Sequence, residues 1–411
     1  MSLETFIANR LVWNNAAGLS ASKGTRVVVG IAIGAIALSM SVMIIALGII
    51  TGFREEIRNK ISGFGAHIQV TAFNFENPLY SAPISSRQAF PAQLMEINGV
   101  KNVQAYALKE GIIKAEDELQ GVLTKGVGPD FDWEFFERNL QEGKRLETTG
   151  EERSNGIIVS RTLCSLLNKQ LGDAVFIYYV QEGKSRPRKF EITGIYETGM
   201  AMMDNNYVLA DMRHVQKLNN WDDTLVSGFE VLLTDYTALD KLAYHIYSAI
   251  PPALNTTTIK EQHPEIFGWL ELQDMNIVVI LLLMTAVAAI NVISALLILI
   301  LDKTTMIGML KALGSTDKRI RRTFILMGAY LAALGLLIGN AIGLGLGILQ
   351  QRVHIISLPK ESYYMEYVPF ELPIGQWLML NFAALFVCVV VLILPVQIIS
   401  NISPARAMRI D

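Results

Sequence analysis

Side chains able to do chemistry are present in this chain, but none is spaced to do it. The five histidines, His67, His214, His245, His263 and His354, are scattered, and no HExxH or paired Cys/His spacing offers a zinc site. No GxSxG elbow presents a nucleophilic serine. The single Gly-Lys-Ser, Gly183-Lys184-Ser185, lacks the glycine that a phosphate loop needs five residues before Gly183, where Tyr178 stands. The chain therefore reads as a non-enzyme that binds no metal and no cofactor of its own. Any work it does on a substrate must draw its energy from a partner. A net charge of −3 gives no reason to expect nucleic acid as that partner.

One stretch does carry a recognisable device. In 291–322, NVISALLILILDKTTMIGMLKALGSTDKRIRR, residues Thr304–Leu313 predict a short helix with Met306, Met309, Leu310 and Leu313 on one face. Gly314 suits the left-handed position that ends such a helix, and Ser315 or Thr316 can cap the next. A short helix, apolar on one side and basic beyond, can dock into a protein partner. It can equally rest on anionic lipid heads.

The elements that would hold this device are four uncharged apolar runs, 27–50, 277–301, 323–349 and 377–400. Each is long enough to cross a hydrocarbon core of ~30 Å. In lipid every backbone polar group must be satisfied within the segment, so the runs predict helices. The fold class that follows is a membrane α-helical protein with four transmembrane helices and a large extracytoplasmic α+β domain. Its parts are an interfacial helix in 1–26, the first span, the domain over 51–276, the second span, a loop at 302–322, the third span, a short loop at 350–376, the fourth span and a tail at 401–411.

Lys303, Lys311, Lys318, Arg319, Arg321 and Arg322 in the 302–322 loop, with Arg10, Lys23, Arg26, Arg406 and Arg409 in the terminal segments, place those parts in the cytoplasm. The 51–276 block is then outside. Leu3, Phe6, Ile7, Arg10 and Leu11 recur at helical spacing and predict a helix lying along the inner leaflet. Only Cys164 falls in the outer block, while Cys388 sits in the last span, so no disulfide staples the domain.

Gly335, Gly339, Gly343 and Gly347 recur every four residues in the third span. Such a stripe lets another helix come close, from this chain or from a second copy. Asn291, Asn340 and Asn381 lie within spans and predict interhelical hydrogen bonds, and no charged residue sits mid-span as an ion-coupled transporter would require. In the outer block, strand-like pieces at 67–73, 104–107, 121–125, 157–160, 174–180, 190–195, 207–210 and 228–233 alternate with helical ones at 86–97, 161–168, 212–219 and 236–250. Residues 255–268 read as a linker to the second span.

Asn291, Asp302, Lys303, Ile307, Gly308, Leu310, Lys311, Ala312, Gly314 and Ser315 form a pattern that resembles the cytoplasmic loop of FtsX/MacB-type ABC transporter permeases. Within that group the sequence most resembles LolC/LolE, the lipoprotein-releasing permeases. The likeness extends to Phe6–Arg10, to Gly52–Glu56 through His67-Ile68, to Ile192–Met212, and to Tyr364, Pro369 and the closing 403–409.

The resemblance implies a multi-pass protein of the bacterial inner membrane, paired with a second permease copy or paralogue above a LolD-like ATPase dimer that uses ATP and magnesium. Met306, Ile307, Met309, Leu310, Lys311 and Leu313 would then seat in the ATPase. Many relatives carry a Glu where Met306 stands, so an apolar contact replaces a charged one there. Lipoprotein substrates would place acyl chains in a cleft lined by Met40, Met43, Ile44 and Leu47 of the first span and Val279, Leu282 and Leu283 of the second. A LolA-like periplasmic carrier would meet the basic turn Gln181–Lys189 at Lys184, Arg186, Pro187 and Arg188, unless that turn is simply a solvated tip. Two rival functions remain: MacB-like export of peptides, antibiotics or other amphiphiles, and FtsX-like signalling to cell-wall hydrolases. Relatives of the first kind usually carry a fused ATPase before the first span, where this chain has about 26 residues. Those of the second have a smaller outer domain.

Overall fold

Apolar runs and alternating strands separate into two bodies, one built from Met1–Arg54, Trp269–Ile356 and Tyr367–Asp411, the other from Glu55–Gly268 and Ser357–Glu366. The computed structural model describes residues 23–73, 82–114, 119–150, 152–181, 183–359, 363 and 365–401. The predicted helix at 3–13, Tyr364 and the closing motif at 403–409 lie outside the described residues.

Among the described residues four helices are long and apolar enough to cross a membrane. The first long helix runs Lys23–Gly65, the second Pro264–Asp302, the third Asp317–Val353 and the fourth Ile374–Val391, continued by Ile393–Val396. The first two extend well past the uncharged runs, because helical hydrogen bonding continues through polar residues once the turn is formed. On the third helix the buried positions Phe324, Met327, Leu331, Gly335, Gly339, Gly343 and Gly347 fall at three- and four-residue steps, the stripe expected of a packed face.

That stripe packs on the first helix of the same chain. A Cβ on Gly335 would stand 2.7 Å from Ile36, one on Gly339 2.6 Å from the Ala37 carbonyl oxygen, and one on Gly343 3.0 Å from Ile44. Ser41 Oγ donates across the seam to the Gly339 carbonyl at 3.1 Å. Gly347 and Gly48 instead receive the ring of Phe370, which wedges between the third and first helices. The third and fourth helices are joined by Asn340 Nδ2 donating to Asn381 Oδ1 at 2.6 Å, with Trp377 Nε1 donating to Asn340 Oδ1 at 2.6 Å.

The second body holds twelve described strands: β1 (Ile68–Ala72), β2 (Ile84–Ser85), β3 (Val100–Lys114), β4 (Leu119–Val127), β5 (Leu140–Gly143), β6 (Gly156–Ser160), β7 (Ala174–Gln181), β8 (Lys184–Tyr196), β9 (Tyr207–Asp211), β10 (Leu225–Val226), β11 (Gly228–Leu233) and β12 (Leu254–Thr258). The large sheet runs β12-β1-β11-β3-β4-β9-β6-β8-β5, with β7 pairing both β3 and β8. Six strands, β3-β4-β9-β6-β8-β7, thus close on themselves. Ile113, Ile157, Val159, Val175, Ile177, Tyr179, Phe190, Ile192 and Val208 make the common core of this ring. The period-two alternation of β7 decides which side chains enter: Val175, Ile177 and Tyr179 point in, Phe176 and Val180 out.

Two expectations are corrected here. Residues 255–268 are not a linker: β12 pairs along the whole of β1, and Thr258 with Glu261 forms a capping box that starts a short helix at Ile259. The Thr-rich run LNTTT is a strand because its β-branched residues fit a half-buried edge. The predicted turn Gln181–Lys189 is also narrower than expected. Gln181 pairs with Lys184, so the turn is two residues wide and Gly183 takes φ +71°, while the basic residues belong to β8 itself. Pro187 is tolerated because β8 pairs only with β7 there and meets β6 from Glu191 onward.

Candidate functional site

The loop helix forms at Thr304–Ala312 and ends on Gly314 at φ +88°, as its residues predict. Its rotation differs from the expected one. Ile307 and Gly308 are buried, and Met306 and Leu310 pack beside them against the helical core. Lys311 is turned inward as well, donating from Nζ to the Ile399 carbonyl at 2.8 Å and pairing with Asp317 at 3.0 Å. Ile399 lies in the 3₁₀ turn Gln397–Asn401 that follows the fourth helix, and a helix C-terminal end is a favourable place for a cation. Only Met309 and Leu313 of the six predicted coupling residues are exposed. The helix is therefore clamped to the bundle along one side and offers a narrow apolar edge on the other.

The seven residues expected to line one cleft are not brought together within the chain. Met40, Met43 and Ile44 are fully buried, Met40 and Ile44 against the glycine stripe of the third helix, and Leu47 is half-buried beside them. Val279, Leu282 and Leu283 are more than half exposed on the second helix. The reason is the small-residue seam: glycine faces draw the first helix to the third, and that uses the Ile36, Met40 and Ile44 side of the first helix. First and second helices meet through Thr285 Oγ1 on Met43 Sδ at 3.6 Å, the Phe53 and Trp269 rings at 5.4 Å, and the ion pair Arg54–Asp274. Near the loop the second helix is anchored by buried Val292, Leu296, Leu299 and Ile300. Farther along, Val278, Val279, Leu282 and Leu283 lie on an exposed face, while Leu281 and Met284 pack on the core.

In the second body the β7–β8 hairpin projects its basic strand end. Lys184, Arg186 and Pro187 are exposed and Arg188 is half-buried. Alternation sends Lys184, Arg186 and Arg188 to one side of the strand and Pro187 and Lys189 to the other. On this second side Phe176, Val180 and Ile112 are exposed too, so the hairpin has a cationic face and a mixed apolar face. Among the described residues no group of three or more His, Cys, Asp or Glu side chains could hold a metal ion.

Sequence reading missed two features. Asn340 and Asn381 were predicted to bond between helices, but nothing marked Trp377 as their third member. The ion pair of Lys125 with Glu230, at 2.7 Å and almost wholly buried, has little local signal. A charged residue within an otherwise apolar strand, as in VLTKGV, was the only available hint.

Comparison with known proteins gives this arrangement a family. Residues 29–246 match the MacB-like periplasmic core domain, and residues 278–404 match the FtsX-like permease C-terminal domain. The chain is 23% identical over 396 residues to the lipoprotein-releasing system transmembrane protein LolC of Xylella fastidiosa, covering 92% of each chain. It is 22% identical to LolC of Neisseria meningitidis, covering 93% of this chain and 94% of that one. It is also 22% identical to LolE of Haemophilus influenzae, over 91% and 92% respectively. Among solved structures, the periplasmic region of MacB from Actinobacillus actinomycetemcomitans aligns with TM-score 0.35 at 13% identity, covering 52% of this chain and 97% of that chain. The chain belongs to the ABC transporter permease family whose members join a MacB-like periplasmic core domain to an FtsX-like membrane module.

Proposed function

We propose that this protein is the permease subunit of an ABC transporter that releases lipoproteins bound for the outer membrane from the bacterial inner membrane to a periplasmic carrier. The observation that carries the reading is end-to-end likeness: relatives named as lipoprotein-releasing transmembrane proteins align over 92% of both chains, spans and domain alike. A separate ATPase supplies the energy, engaging the exposed edge of the loop helix at Met309 and Leu313. The basic 302–322 loop faces the cytoplasm and the α+β domain the periplasm.

Acyl chains need an apolar surface that opens sideways to lipid. Val278, Val279, Leu282 and Leu283 supply one on the exposed face of the second helix. The rest of the enclosure comes from a second permease copy or paralogue, since Met40, Met43 and Ile44 are already committed to the core. Moving acyl chains into water costs about 0.8 kcal/mol per CH₂, which is why extraction needs both ATP and a receiving cavity. The cationic face of the hairpin, Lys184 and Arg186, meets the carrier.

Depleting the protein and fractionating the membranes tests this. Outer-membrane lipoproteins accumulating in the inner membrane are the expected result. Normal sorting together with hypersensitivity to amphiphilic drugs would replace it with MacB-like export, the reading that the core-domain match favours next.

A further inference from the structure

The first long helix ends inside the α+β domain on a buried charge. The last carbonyls of a helix have no partner within it. Here the Phe64 carbonyl accepts from Lys125 Nζ at 2.7 Å. The same ammonium pairs with Glu230 at 2.7 Å, and the two side chains are only 3% and 2% exposed. The rings of Phe64, Phe131 and Tyr106 stand 5.6 to 6.0 Å from it. The second oxygen of Glu230 accepts from Gln104 Nε2 at 2.9 Å, and Gln104 Oε1 accepts from the Asp132 N–H at 2.8 Å.

Lys125, Gln104 and Glu230 sit on β4, β3 and β11, three adjacent strands of the sheet. The Phe64 ring is itself seated against Tyr207 at 4.7 Å and Phe136 at 5.5 Å. Gln69 Nε2 takes the next carbonyl, that of Gly65, at 3.3 Å.

A buried ion pair is a poor way to gain stability, because desolvation offsets the attraction and apolar residues of similar size do as well. What apolar residues cannot do is donate to a helix carbonyl along the helix axis. The helix so held is the one whose residues 27–50 form the first span, unbroken from Lys23 to Gly65. We propose that Lys125, fixed by Glu230, is a positioning residue that fastens the C-terminal turn of the first membrane helix to three strands, so that movement of that helix is passed to the α+β domain. This rests on the reading of the protein as a permease moved by a partner's ATP hydrolysis.

The test uses the full chain, with K125M and K125M/E230L expressed in place of the natural protein. K125M leaves Glu230 buried without its partner and is expected to unfold readily. The double variant replaces the pair by apolar side chains and is expected to keep its thermal unfolding midpoint. Hydrogen exchange of the 60–66 amides in the double variant should then speed at least tenfold, with β3, β4 and β11 unchanged. ATP hydrolysis by the purified assembly should stay within twofold while lipoprotein release falls at least tenfold.

Release within twofold of the natural protein overturns the proposal. So does a parallel loss of hydrolysis and release, the mark of a purely structural pair. If the natural chain itself restores no lipoprotein sorting, the functional reading fails instead. The clamp is then judged on exchange alone, where unchanged protection at 60–66 overturns it and a tenfold loss supports it.

Discussion

Gly339 and Ala37 approach so closely that no side chain fits between them: a Cβ on Gly339 would stand 2.6 Å from the Ala37 carbonyl oxygen and 2.7 Å from the Met40 Cβ. Backbone on both sides leaves nothing flexible to move aside. Gly339→Leu is therefore expected to part the first and third helices at a cost of about 1–3 kcal/mol or more. Gly30→Ala, with nothing within 4 Å, should be close to neutral. Thermal unfolding of the full chain in detergent separates the two. Equal midpoints would place the seam somewhere else.

The Asn340–Asn381 pair, with Trp377 beside it, forms a polar contact between third and fourth helices. Hydrogen bonds of this kind within membranes are worth about 0.6–1.7 kcal/mol. Asn340→Leu and Asn381→Leu should each lower stability by that order, and the double variant by less than their sum. A double-mutant cycle on unfolding in micelles measures the coupling. Additive losses would show that the two amides act independently.

For the loop helix, rotation yields opposite outcomes from neighbouring residues. Leu313→Asp adds a charge at an exposed position and should leave the fold intact while reducing co-purification of the partner ATPase by tenfold or more. Ile307→Asp buries an unpaired carboxylate in the core and should abolish folded protein. Retained ATPase capture by the Leu313 variant would return the edge to lipid contact.

Charge reversal at Lys184 and Arg186 together should weaken capture of the carrier, with a larger effect at low salt than at high, as exposed charges behave. Pull-down with the periplasmic carrier at two ionic strengths reads this. No change at either would leave the hairpin a solvated tip.

His67 makes stability depend on pH. Burial, reinforced by the charge of Lys101, pulls its pKa from 6.5 down to about 4. Its Nδ1 accepts from the Leu233 N–H at 3.1 Å, a bond only the unprotonated nitrogen can make. As pH falls from 6.5 the unfolded chain takes up the proton first, so stability declines until about pH 4 and then levels. Between pH 7 and 5 the loss is about 2 kcal/mol. Denaturant titrations of the full chain at both pH values should show it, and His67→Gln should remove most of it. An unaltered slope in that variant would assign the dependence to another group.

Much of this was legible in the residues because its causes are local. The β7 strand follows from alternation in AVFIYYVQ, the stop at Gly314 from its left-handed backbone, and the Met212–Leu218 helix from apolar residues at three- and four-residue steps. The β12 strand was missed because LNTTT is polar in composition, and its pairing with β1 joins segments far apart in the chain. Closure of the six-stranded ring was invisible for the same reason. It rests on the short pairing of Ile112 and Ile113 with Tyr178 and Ile177.

The sequence by itself determined how many apolar helices the chain offers and where the α+β domain interrupts them. Run length and charge distribution act through the solvent, which judges each segment alone. Only the tertiary structure decided which face each helix presents. It turned Met40, Met43 and Ile44 into the core and Val279, Leu282 and Leu283 out of it, and drew Lys311 inward to the Ile399 carbonyl. Rotation about a helix axis is set by the close approach of small residues on another helix. Spacing within one segment fixes the angles between its own side chains but not the direction in which any of them points.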